Sequence, residues 1–197
     1  ETAELLYAAV YAEADKRTQV DAAMRKGWEK MPLDLRIQAL LGMATAAVDH
    51  ADKGTARTLL DEARADIDRA KWLLEHRLPV EARWSTVLGK AGDTDGATQR
   101  LAQAMELYER ERANTVNIYR AGALRPVAEA YAQLGQPAQA LVLYQRALEE
   151  GLENPNSRPR LDDLAATVIS MAVQGVQPSA ETRTRIQSIA AQLGDPW

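Results

Sequence analysis

The chain has 197 residues, 46% of them hydrophobic and 26% charged, which is enough apolar material for one domain or one continuous repeat array. Lys and Arg total 24 against 28 Asp and Glu, and the net charge of -4 lacks the basic excess of a nucleic-acid-binding surface. Cysteine is absent, which removes disulfides, thiolate metal sites and cysteine nucleophiles, and no apolar run approaches the ~20 residues needed to span a bilayer.

Ala, Leu, Gln, Glu and Arg dominate and β-branched runs are missing, so the chain reads as all-α. It opens on Glu1 rather than Met, and we expect a segment of a longer protein. Over residues 1–34, Leu5, Tyr7, Ala8 and Tyr11 predict a first helix. A break near Asp15 follows, and then Val20, Ala23, Met24, Gly27 and Pro32. Over 37–76, Leu40, Met43, Ala44, Ala47 and Ala51 share one helical face, and Asp52, Lys53, Gly54 and Thr55 form a turn. Ala56, Leu59, Leu60, Ala63, Ile67, Ala70 and Leu74 then predict a long second helix.

Over 79–114 the first helix carries Val80, Trp84, Val87 and Leu88. Gly92, Asp93 and Gly96 supply turn and cap chemistry, and Ala97, Leu101, Ala104, Met105 and Tyr108 form the second helix. The clearest unit is 115–154. Leu124, Val127, Ala128, Tyr131 and Leu134 end at Gly135, where a left-handed cap is expected. Pro137 starts the next helix with Ala140, Leu141, Tyr144, Ala147 and Leu148. Pro126 falls inside the first of these helices if that helix begins near Thr115, and should bend it. The last unit, 158–195, has Leu161, Leu164, Ala165, Val168, Ile169 and Met171, a turn at Gly175 to Ser179, then Ile186, Ile189, Ala190 and Leu193. Gly92, Gly135 and Gly175 recur about 40 residues apart, a repeat signature. The excess over a minimal hairpin is expected to lengthen the helices around 64–78 and 106–120.

In spacing and order, Leu124, Ala128, Tyr131, Gly135, Ala140, Tyr144 and Ala147 resemble the tetratricopeptide repeat family, with the closing proline displaced to Pro155. Leu88, Gly92, Ala97, Leu101 and Ala104 repeat the pattern, as do Leu40, Ala44, Ala47, Ala56, Leu60 and Ala63. Ala8, Tyr11, Met24 and Pro32 keep part of it, and so do Leu164, Met171, Gly175 and Ala180. The long period is similar to that of divergent bacterial members. The resemblance implies an α–α superhelix, or solenoid, of about five helix-turn-helix units in a single domain. It also implies a concave groove lined by the first helices, a protein or peptide partner, no catalysis and no cofactor. Another α-hairpin array and a non-repeat helical bundle are the alternatives.

Catalytic and metal-binding patterns are nearly absent. His50 and His76 lie 26 residues apart, without the one-turn spacing of a zinc site, and no phosphate-binding glycine loop or nucleophile elbow occurs. Asp61, Glu62, Asp66 and Asp68 with Arg64 and Arg69, and Glu106, Glu109 and Glu111 with Arg110 and Arg112, read as solvated helix faces. Arg36, Arg83, Arg125 and Arg160 recur once per unit near the start of each first helix. Such a ladder could hold carboxylates of a partner, or its members could pair locally. The expected peptide-binding residues are Arg83, Thr86 and Lys90 in one unit and Arg125, Glu129 and Gln133 in the next. That mixed-sign surface suits an extended peptide. Trp28, Trp72 and Trp84 are either core residues or partner anchors, and Trp197 ends the chain.

The reading is therefore a non-catalytic protein–protein interaction scaffold, with no nucleic acid and no membrane insertion. Its alternatives are a self-association module (a homo-oligomer) and a small-molecule-sensing regulatory domain.

Overall fold

The computed structural model describes residues 2–192, so the expectations at Leu193 and Trp197 lie outside the described residues. Among the described residues there are ten α-helices, two 3-10 turns and no strand. The helices are α1 (Thr2–Ala9), α2 (Ala14–Gly27), α3 (Leu33–Asp49), α4 (Lys53–Arg69), α5 (Leu74–Lys90), α6 (Thr94–Glu111), α7 (Asn117–Gln133), α8 (Pro137–Leu152), α9 (Ser157–Val173) and α10 (Ala180–Gln192). The 3-10 turns, Trp28–Lys30 and Arg112–Asn114, follow α2 and α6.

Four helix–helix turns end the same way. The N–H of Ala51, Gly92, Gly135 and Gly175 bonds back to the carbonyl of Val48, Gly89, Ala132 and Ala172. The N–H of the next residue, Asp52, Asp93, Gln136 and Val176, bonds to Ala47, Leu88, Tyr131 and Met171. This is the Schellman arrangement, which satisfies carbonyls that the helix end would otherwise leave open. It requires a left-handed residue, and three turns use glycine, with φ of 101° at Gly92, 75° at Gly135 and 68° at Gly175. The fourth uses Ala51 at φ 60°. The sequence reading had placed Ala51 on the face of the first helix. Instead α3 stops at Asp49, and Ala51 occupies the slot that glycine fills elsewhere.

The helix after each turn is started by local chemistry. Asp52 accepts the N–H of Thr55 (2.9 Å), Asp93 that of Gly96 (2.9 Å), and Ser179 Oγ that of Thr182 (3.1 Å). Pro137 opens α8, where no N–H is needed.

The chain forms two compact units, with one border between α4 and α5 and the other two inside α5 and α6. The first is Glu1–Trp72 with Arg83–Arg100. Its core joins Ile37, Leu40, Leu41, Met43 and Ala44 of α3 to Leu60, Ala63 and Ile67 of α4. α1 crosses α3 at Gly42, where an added Cβ would stand 3.2 Å from the backbone nitrogen of Glu4. Tyr7 and Tyr11 meet edge to face, Tyr11 stacks on His50, and its hydroxyl donates to Asp52 (2.8 Å). α2 differs from the expectation built on Val20, Ala23 and Met24, because none of its residues is buried. Ion pairs hold it instead. Arg25 grips Glu62 of α4 through two hydrogen bonds of 2.7 and 3.0 Å and stacks over Trp28.

The second unit is Leu73–Ala82 with Leu101–Trp197. Leu124, Val127, Ala128 and Tyr131 of α7 close on Ala140, Tyr144 and Ala147 of α8, with Leu78, Leu101 and Tyr108 in the same core. α9 touches both α7 and α8, and Leu164 packs with Leu148 and Ile189. In each unit one first helix lies beside another, α1 with α3 and α7 with α9.

Two boundary expectations are corrected. α4 ends at Arg69, and Leu74 opens α5 instead of closing α4. Ile67 and Leu74 are seven apart, in phase for one helix, so periodicity alone could not show the break. Pro79 accordingly lies within α5, where its missing N–H releases only a first-turn carbonyl. Pro126 lies inside α7, as a helix starting near Thr115 requires.

Candidate functional site

The ladder arginines have different fates. In the first unit Arg36 makes a two-point contact with Asp66, through Nε at 2.5 Å and through Nη2. Asp66 is only 6% exposed and also accepts from Arg69 (2.8 Å), so it is not on a solvated face as its neighbours suggested. Arg83 donates to Gln38 (2.7 Å) and Glu4 (3.1 Å). Thr86, one turn on, is half-buried, and Lys90 at the end of α5 is exposed. In the second unit Arg160 reaches the Asn154 carbonyl (3.3 Å). Arg125 finds nothing: its Nη1 is buried without a hydrogen-bond partner among the described residues. A desolvated guanidinium donor with no acceptor is unfavourable.

Arg125, Glu129 and Gln133 are spaced by four along α7 and share one of its faces. Glu129 would ordinarily be the partner of Arg125. Instead it accepts from Ser170 Oγ of α9 at 2.5 Å. Ser170 in turn lies 2.8 Å from the Tyr144 hydroxyl. The Ser170 proton is committed to the carboxylate, so Tyr144 is the donor to Ser170. Burial raises the Tyr144 pKa most and Glu129 raises it too, while the Arg125 charge opposes. The structure thus gathers Arg125 and Glu129 around Ser170 and Tyr144, and Gln133 is exposed at the end of the same helix. Ser170 was not anticipated. The available signal was Tyr144, a buried phenol that needs a polar partner.

A second polar cluster was also missed. Glu150, 1% exposed, accepts from Arg112 at 2.5 and 2.9 Å and from Arg146 at 2.9 Å. Arg112 and Arg120 both extend to Glu153 (2.8 Å each). Arg112 therefore leaves the solvated face assigned to it and pins the turn after α6 to α8. Burial works against the Glu150 charge more than any other influence. The arginines and the Tyr108 hydroxyl together still hold its pKa below the usual carboxylate value.

Of the tryptophans, Trp84 is a core residue, 8% exposed, with its indole N–H on the Leu60 carbonyl (2.9 Å) and Arg64 over its ring. Trp28 and Trp72 are half-buried, with indole nitrogens enclosed and without a hydrogen-bond partner among the described residues. An open cleft of about 660 Å³ lies between α8 and α10 and is crossed by Arg185 on Glu149 at 2.7 Å. Among the described residues no group of three or more His, Asp or Glu is placed to hold a metal, and no helix is long and apolar enough to cross a membrane. No family model, curated protein or solved structure matches the chain.

Proposed function

We propose that the chain is a non-catalytic scaffold for a protein or peptide partner, built from about five tetratricopeptide-like hairpins stacked as a solenoid. Three features support this reading. The same Schellman cap recurs at residues 51, 92, 135 and 175. First helices lie side by side within each unit. Arg125, Glu129 and Gln133 place polar groups along one face of α7. The observation that carries it is Arg125, whose neighbours in the ladder are matched inside the chain while its own buried Nη1 has no hydrogen-bond partner among the described residues.

Calorimetric titration of an acidic peptide tests the proposal. Arg125→Ala should weaken binding at least fivefold. Arg83→Ala should do less, because Arg83 already serves Glu4 and Gln38. Equal affinity of wild type and Arg125→Ala would remove the site. Self-association is a second reading, favoured by Leu5 and Leu6 on α1, 70% and 47% exposed. Sedimentation of Leu5→Asp against wild type over a range of concentrations decides it.

A further inference from the structure

The bend between α1 and α2 lacks the devices that make the four hairpin turns described above. No residue from Thr2 to Lys26 is glycine or proline, and four of the seven from Ala8 to Ala14 are alanine. None of residues 10–13 takes a positive φ. The N–H groups of Tyr11 and Glu13 bond three residues back, to the carbonyls of Ala8 (3.2 Å) and Val10 (2.9 Å). Glu13 precedes α2 without a side-chain cap, whereas Asp52, Asp93 and Ser179 cap their helices. Locally, Thr2 to Gly27 is the sequence of one helix about 39 Å long. Tertiary contacts bend it, and they lie on α3 and beyond. The Glu4 Cβ is 3.1 Å from where a Gly42 Cβ would stand, and its carboxylate accepts from Arg83 (3.1 Å). Tyr7 and Tyr11 are buried, and Tyr11 stacks on His50 and donates to Asp52. Leu5, Leu6 and Ala9 stay exposed on the opposite face of α1.

We infer that α1 is an exchangeable arm: in a pair of chains the bend straightens, and each α1 docks on α3 of the other copy. The inference goes beyond the scaffold reading and does not depend on it. Straightening within one chain would lift α1 off α3 and uncover Tyr7, Tyr11 and the surface at Gly42, against the burial of apolar area. A second copy presents the same α3 surface, so exchange keeps these contacts and changes the hinge. Arg17 of α2 also lies over the Tyr11 ring (4.6 Å), a contact that exchange keeps between copies. At the hinge the change is favourable. In a continuous helix the N–H groups of Ala14, Asp15 and Lys16, at the uncapped start of α2, reach the carbonyls of Val10, Tyr11 and Ala12. α2 stays in place, because Arg25 on Glu62 holds it to α4 of its own chain. The two-fold axis then passes between the hinges, where Leu5, Leu6 and Ala9 of each copy cover their counterparts. The lost translational freedom of one chain makes the exchange depend on concentration.

Cysteine pairing tests the exchange, because the chain has no cysteine of its own. Glu4→Cys and Gly42→Cys are made in separate full-length chains, mixed in mild urea, returned to buffer and oxidised. The two Cβ positions are a few tenths of an ångström closer than a disulfide spans, a difference that a small backbone shift absorbs. Peptide mapping should find a disulfide joining position 4 of one chain to position 42 of another. Wild type should sediment as a monomer–dimer equilibrium. Ala12→Gly with Glu13→Asp gives the bend a glycine and a cap at exposed positions. That pair should weaken the dimer at least tenfold with unchanged far-UV circular dichroism. A wild type that stays monomeric at every concentration overturns the inference. So does a chain carrying both cysteine substitutions that links positions 4 and 42 only within itself, if the mixture also gives no link between chains. A dimer that Ala12→Gly with Glu13→Asp leaves unchanged overturns it too, and places association on another surface. If neither cysteine arrangement cross-links, sedimentation of the hinge variant decides. None of these results touches the Arg125→Ala calorimetry, so the scaffold reading stands or falls separately.

Discussion

Replacing Ala51 with glycine should stabilise the protein. Ala51 sits at φ 60° in a turn whose three counterparts are glycines. A left-handed alanine costs about 1–2 kcal/mol because its Cβ crowds the following carbonyl. Glycine removes that cost but adds about 0.4–1 kcal/mol of unfolded-chain entropy to be lost on folding. The difference is a gain of roughly 0.5–1 kcal/mol. Ala51 belongs to the first unit, as do Trp28, Trp72 and Trp84, so urea unfolding followed by tryptophan fluorescence reports on the right region. The midpoint should rise with an unchanged slope. Gly135→Ala is the mirror experiment. A Cβ there meets nothing within 4 Å, so the backbone conformation alone should lower stability by about 0.5–1 kcal/mol. A lower midpoint for Ala51→Gly, or a neutral Gly135→Ala, would refute the conformational account of these turns.

Glu150→Gln leaves Arg112 and Arg146 facing an uncharged amide in a buried site. About 3 kcal/mol should be lost in urea unfolding, the low end of the range for broken buried pairs because Arg112 keeps Glu153. The folded-state pKa values of Glu150 and Asp52 are both lowered. Their contribution is therefore complete above the unfolded values near 4 and is lost as pH falls through the folded ones. Urea midpoints between pH 7 and 3 should fall steeply at the acid end, and less steeply in Glu150→Gln. Tyr11→Phe deletes the hydroxyl that donates to Asp52 and should cost about 0.5–1.5 kcal/mol. The Tyr11 phenol is pushed up to about 12, first by burial and then by Asp52. Alkaline absorbance titration should show one late-ionising tyrosine fewer in that variant.

The hairpins were legible because their signals are local. Gly135 followed by Pro137, and the three- and four-residue spacing of Leu124, Val127, Ala128 and Tyr131, need no tertiary information. The errors arose where two meanings share one pattern. Ile67 and Leu74 keep helical phase across a break, and Ala51 is helix-forming by composition but left-handed by position. Side-chain partners were the least legible. Asp66 and Arg112 sit in charged runs that look solvated, yet each pairs with a residue 30 or more positions away. The candidate residues Arg83 and Arg125 look equivalent along the chain. Only the fold shows that Glu4 and Gln38 reach the first and that nothing described reaches the second.

The state of Arg125 depends on a competition that can be reversed. Glu129 is one turn away on the same helix, within range of an ordinary ion pair, although Arg preceding Glu is the weaker order. Ser170 wins the carboxylate because α9 brings its hydroxyl to 2.5 Å and Tyr144 completes the chain of donors. Ser170→Ala removes the competitor and leaves Glu129 free to turn to Arg125. Stability should change little, since one charge-assisted hydrogen bond is exchanged for another contact of similar strength. The Arg125 Nε–H resonance should become protected from exchange with water, and the acidic peptide should bind about fivefold more weakly although Arg125 itself is intact. Full affinity in Ser170→Ala, together with an unprotected Arg125, would mean that the arginine is not held open by Ser170, and the origin of its unmatched charge would have to be sought elsewhere on α7.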